Sequence, residues 1–143
     1  MATTENQANG CILRISNETL EKQVFKISKY YTGVIRRFVR GTPVIFAAKA
    51  AGRDSFIGYG VVDKVEYLWE MTPEEETYAR EHGWKMGLTL RNLVKFPKPL
   101  PIKETIMVSD KRRGAFLHGA MLGEDQVDSI LEAAEELQNV EAA

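Results

Sequence analysis

The chain has 143 residues, 44% of them apolar and 27% charged, with a formal net charge of −1, two histidines and one cysteine. That length supports one hydrophobic core rather than two, and the composition is that of a globular rather than a disordered chain. No apolar run approaches the roughly 18 to 20 residues that cross a bilayer, and a single cysteine excludes an intramolecular disulfide, which suits a reducing, cytoplasmic setting.

Residues 1–10 are polar, lack the basic and hydrophobic regions of a secretory signal, and read as a disordered lead-in. Residues 11–15 predict a short strand in which Cys11 is buried rather than nucleophilic. Ser16 or Asn17 then caps a helix whose Leu20, Val24, Ile27 and Tyr31 recur at spacings of three and four. It should end near Gly33 and carry Lys22, Lys26 and Lys29 outward. Residues 34–41 read as a turn of helix or an irregular loop. The β-branched and aromatic content of 44–49 and 56–65 predicts a strand pair around a turn at 51–54. Gly58 and Gly60 fall on one face of the second strand, as they do where a sheet curves or another segment approaches closely.

Thr72 and Pro73 predict a helix start, with Glu75 completing a capping box. From Trp84 to Leu90 every second residue is apolar, a half-buried strand, and a phase change near Asn92 implies a bulge. Pro97, Pro99 and Pro101 are expected to end regular pairing. Residues 106–108 read as a short strand or loop and 110–114 as a basic turn. A last helix over about 123–139 carries Val127, Ile130, Leu131, Ala134 and Leu137 on one stripe. No repeat appears, so the reading is one domain over 11–139 with a short tail at 140–143.

Charge is distributed in blocks. Residues 22–53 hold eight bases and no acid, and 85–113 hold eight bases against Glu104 and Asp110. Seven acids and two bases fall within 63–81, and seven acids with no base within 124–143. If the two basic blocks meet in space, the protein has a positive face that suits a polyanion. The acidic helices would then be free for a protein partner.

Catalytic signatures are missing by contrast. His82 and His118 have no ligand-type residues at metal-binding spacing, and Gly58-Tyr59-Gly60 lacks the third glycine of a dinucleotide loop. No serine or cysteine sits in a nucleophile elbow, and helix capping accounts for residues 74–76. The expectation is a protein that is not an enzyme, with no catalytic residues, metal or cofactor. Aromatic and basic side chains remain, with Tyr30, Tyr31, Tyr59, Tyr67, Trp69, Trp84 and Phe116 in or beside the cationic segments. Aromatic rings stack on bases, and Arg or Lys neutralises phosphate.

The order of these features resembles the PUA-like superfamily, and within it the EVE-type branch, related to ASCH and YTH domains. The resemblance is carried by Gly33-Val34, by Gly41-Thr42-Pro43-Val44-Ile45-Phe46, by the glycine-bearing strand 57–62 and by Phe96-Pro97-Lys98-Pro99-Leu100. It implies an α+β fold, a pseudobarrel of about five or six mostly antiparallel strands decorated by three helices. It also implies RNA or modified-base binding at a pocket bordered by Gly33, Val34, Tyr59, Trp69 and the segment from Arg113 to Phe116. Ile35-Arg36-Arg37-Phe38 replaces the aromatic, Asn-rich stretch usual after Gly-Val, which shifts the expectation toward phosphate contacts.

The resulting reading is a nucleic-acid-binding module, for RNA more than DNA, acting as a monomer or weak dimer away from membranes. Lys29, Arg36, Arg37, Arg40, Arg112 and Arg113 would meet phosphate, and Tyr30, Trp69 or Phe116 would stack on bases. The alternative is a nucleoside-sensing or protein-adaptor domain that binds no polynucleotide.

Overall fold

The structure, a computed structural model, describes residues 10–33, 38–105, 107 and 121–142. Its strands are β1 (Gly10–Arg14), β2 (Lys29–Thr32), β3 (Pro43–Ala50), β4 (Arg53–Tyr67), β5 (Met86–Pro101) and β6 (Met121–Leu122). The helices among the described residues are α1 (Glu18–Ile27), α2 (Pro73–Glu81) and α3 (Glu124–Ala142). One mixed sheet runs in the order β2-β5-β4-β3-β1-β6. The β1–β3 pair is parallel and the others are antiparallel. This is the α+β architecture expected from the sequence, built as a curled half-barrel.

Local chemistry explains most boundaries, including the unexpected ones. Asn17 caps α1 by accepting from the Leu20 amide at 2.9 Å. The helix stops at Ile27 because Ser28 turns left-handed, at φ 60°. The apolar spacing that ran on to Tyr31 therefore crosses a helix–strand junction, and Tyr30 and Tyr31 belong to β2. Thr72 caps α2 by accepting from the Glu75 amide at 3.2 Å, with Pro73 in the first turn. The Glu75 carboxylate does not close a capping box, because Lys29 and Tyr31 hold it elsewhere.

Asn92 sits at φ 51°, and pairing slips there from Tyr59↔Val94 to Val61↔Arg91, as the phase change implied. The prolines do not end β5, which still pairs Leu100 with Phe56 and Pro101 with Ser55. Proline gives up only its own N–H, and its fixed φ remains compatible with extended chain. Gly10, assigned to the lead-in, pairs with Leu122, and α3 extends to Ala142.

Both faces of the sheet are covered. On the first, α1 lays Leu20 and Val24 on Leu13, Val44, Phe46, Val62, Leu88 and Leu90. On the second, Val127, Ile130 and Ala134 of α3 pack on Ile12, Ile45, Phe56, Phe96 and Leu100. Burial on both sides explains why β1 and β3 read as continuous apolar runs. Gly58 and Gly60 face α1: a Cβ at Gly58 would lie 2.6 Å from the Phe25 ring and 2.7 Å from the Val94 carbonyl. The missing side chains let Phe25 descend edge-on against Phe46, with ring centroids 5.9 Å apart. No helix among the described residues is long and apolar enough to cross a membrane.

Candidate nucleic-acid interface

The second face divides into three parts. One end lies under α3. The other lies under α2 and the turn before it, where Met71 and Ala79 pack with Tyr31. Strand alternation places Tyr59, Val61, Arg91 and Val94 between these covered ends, on the side opposite Gly58, Gly60, Leu90 and Leu93. Val94 is 50% exposed, Arg91 is exposed, and Tyr59 is half-buried against the α3 core. Burial, and then the charge of Asp128, raise the Tyr59 phenol above its ordinary pKa, so the ring is neutral at physiological pH.

Asp63 forms the centre of this strip. The bulge between Val62 and Lys64 brings its carboxylate to two guanidinium groups. Arg40 Nε and Arg91 Nη1 both donate to Asp63 Oδ1, each at 3.4 Å. One arginine comes from each basic block of the sequence, so one residue of each block meets the other here. Lys64 follows on β4, exposed, with Nζ 3.5 Å from Glu66. Two guanidinium groups thus share one half-exposed carboxylate, with Lys64 next along β4 and paired with Glu66, on a strip that also carries a tyrosine ring.

Other basic residues are engaged elsewhere. Lys29 Nζ lies 2.9 Å from Glu75 and 3.2 Å from Glu66, and Tyr31 donates to the same Glu75 oxygen at 2.7 Å. Burial opposes the Lys29 charge, but the hydrogen bonds and attraction of Glu75 and Glu66 outweigh it and raise its pKa. Burial likewise works against the Glu75 carboxylate, yet Lys29 and Tyr31 hold its pKa below the usual range. Burial and Glu75 together push the Tyr31 phenol upward. This network fastens β2 to α2 and β4, and it removes Lys29 from the phosphate-contact set. Lys22 pairs with Glu18, and Lys95 pairs with Glu21.

The sequence-derived aromatic residues separate in the same way. Tyr30 is 2% exposed and donates to the Arg14 carbonyl at 2.6 Å. It is a core residue with no face left for a base, a correction that follows from β2 pairing in register with β5. Trp69 is 78% exposed and lies parallel to Tyr67, centroids 4.8 Å apart, just past the end of β4. Trp84 is stacked between Tyr31 and His82, at 5.1 Å and 4.5 Å, which makes it structural. Gly33 is exposed, and a Cβ there would lie 2.9 Å from the Gly83 carbonyl. Val34, Arg36, Arg37, Arg112, Arg113 and Phe116 lie outside the described residues.

Arg91, Asp63 and Lys64 were missed by the sequence reading. Arg91 carried a signal, since it occupies the polar phase of β5. Asp63 carried none, because only the bulge aims it at the arginines. Among the described residues no group of three or more His, Cys, Asp or Glu is placed to hold a metal ion.

No protein-family model matches the chain, and no curated protein matches it in sequence. Solved structures do share its fold. The chain is similar to ASCH from Zymomonas mobilis with a TM-score of 0.59 and 9% identity, over 85% of this chain and 92% of that one. A Tyr→Phe variant of the same protein gives 0.58 and 9%, over 85% and 95%. A hypothetical protein from Leishmania major gives 0.56 and 15%, over 90% and 97%. These likenesses show a shared fold, while the PUA-like superfamily and its EVE-type branch rest on sequence resemblance.

Proposed function

We propose that this protein is a non-enzymatic nucleic-acid-binding module, acting in the cytoplasm and binding RNA in preference to DNA, of the EVE type within the PUA-like fold. One observation carries the reading: Arg40 and Arg91, from separate basic blocks, converge on the open strip between α2 and α3, beside Lys64 and the neutral ring of Tyr59. A phosphate takes guanidinium hydrogen bonds of the same kind that Asp63 takes now. The strip is also broad enough in residues, from Tyr59 to Lys64, for more than one nucleotide. Trp69 adds a stacking surface at the end of β4.

The ASCH-like fold supports the reading as an analogy of architecture. Arg36, Arg37, Arg112, Arg113 and Phe116 remain part of the proposal, as extensions of the cationic and aromatic surface. Phosphate contacts supply most of the affinity, and base identity contributes less.

Fluorescence anisotropy with a labelled RNA at low salt tests this directly. The Arg40→Glu/Arg91→Glu double variant is expected to lose most binding while keeping the wild-type melting temperature within a few degrees. Unchanged binding by a folded double variant would refute the assignment of the strip. A large thermal shift with a free nucleoside, and no RNA binding by the wild type, would favour a nucleoside sensor instead.

A further inference from the structure

Trp69 is the most exposed large apolar side chain among the described residues, and its surroundings hold it still. Its ring lies within 5° of parallel to Tyr67, and Tyr67 packs on the α1-side core. Glu70 locks the intervening turn by accepting from the Tyr67 amide at 2.9 Å, and the Met71 amide donates to the Leu68 carbonyl at 3.2 Å. Met71 is itself buried under α2. An exposed indole fixed on both sides has lost little further freedom to give up on binding. One of its faces is covered by Tyr67, and the other is open.

Its position relative to the arginines is set by β4. Pairing with β3 ends at Pro43↔Val61, so beyond Thr42 no described strand lines that edge of β4. From Asp63, where the two arginines meet, β4 advances four positions to Tyr67, roughly 13 Å of strand, and Trp69 follows in the turn past its end. A ligand held at both points must present phosphate at one and the open face of a base at the other. A duplex hides its base faces within the stack, and its helical turn of about 34 Å is stiff. An unpaired strand can bend along the edge and deliver a base.

From this we infer that the protein selects single-stranded RNA, with Trp69 backed by Tyr67 as the platform for one unpaired base. The inference rests on the nucleic-acid reading of the strip, which supplies the phosphate anchor.

Two RNA probes separate the cases: a single-stranded adenylate octamer and a blunt-ended hairpin whose loop is closed by a non-nucleotide linker. The octamer is expected to bind more tightly than the hairpin and to quench tryptophan emission from Trp69, with Trp84 as a constant background. Trp69→Ala should weaken octamer binding by about 5- to 100-fold and leave hairpin binding unchanged. Trp69→Phe should recover part of the loss. Octamer binding that is salt-sensitive but unaffected by Trp69→Ala, with no quenching, would overturn this inference and leave the strip standing. No binding of either RNA to the folded wild type would overturn both.

Discussion

Asp63 holds Arg40 and Arg91 on one carboxylate oxygen, 3.4 Å from each. That carboxylate both orders the two guanidinium groups and competes with any incoming phosphate. Each such exposed pair is worth about 0.2–1 kcal/mol, so ordering is the smaller effect and competition should dominate. Asp63→Asn is therefore expected to tighten RNA binding by roughly two- to fivefold at low salt, read by anisotropy, with the gain disappearing as salt rises. Weaker binding would mean that the arginines need Asp63 to hold them in place.

The Lys29–Glu75–Tyr31 network predicts a pH signature in stability. The folded-state pKa of Glu75 is lowered, so its contribution is present above the unfolded value of about 4.3. It is lost as pH falls through the lower folded value. Lys29 is raised; its contribution is complete below about 10.4 and is lost as pH climbs through the higher folded value. Urea midpoints measured from pH 3 to 7 should fall less steeply toward acid in Glu75→Gln than in wild type. Equal slopes would show that the network adds nothing to folding.

Gly58→Ala places a methyl group against the Phe25 ring and the Val94 carbonyl. Neither can retreat without moving α1 or β5, so the expected cost is about 1–3 kcal/mol, measured by denaturant unfolding. RNA affinity of the folded variant should stay at the wild-type value, since Gly58 faces away from the strip.

Tyr30→Phe tests the reassignment of Tyr30 to the core. It removes the hydroxyl that donates to the Arg14 carbonyl in a partly buried hydrogen bond, at about 0.5–1.5 kcal/mol in stability. RNA binding by the folded variant should not change. A loss of binding without a loss of stability would contradict the burial of this ring.

The fold was legible where local chemistry and long-range packing agree. Thr72 and Pro73 announce α2, the stripe from Val127 to Leu137 announces α3, and the phase change at Asn92 announces a real slip in pairing. Legibility failed where a single residue overrides a pattern. Ser28 ends α1 although the apolar spacing continues, and that one turn converts Tyr30 from a surface ring into a core residue. The site was partly legible. The charge blocks left open whether distant bases meet, as Arg40 and Arg91 do at Asp63, and Lys29 belongs to a network closed by Glu66 and Glu75, partners that no sequence spacing reveals. Asp63 was invisible for a similar reason, since a strand bulge fixes its direction.

The salt dependence of RNA binding tests the central claim most directly. For single strands, log K should fall linearly with log salt with a slope of about −0.7 per phosphate neutralised. The wild type is expected to show a clearly negative slope, and Arg40→Ala/Arg91→Ala should reduce its magnitude by about 1.4, two contacts at that increment. A flat wild-type slope, or a slope untouched by removing both arginines, would contradict the strip between α2 and α3 as the nucleic-acid interface.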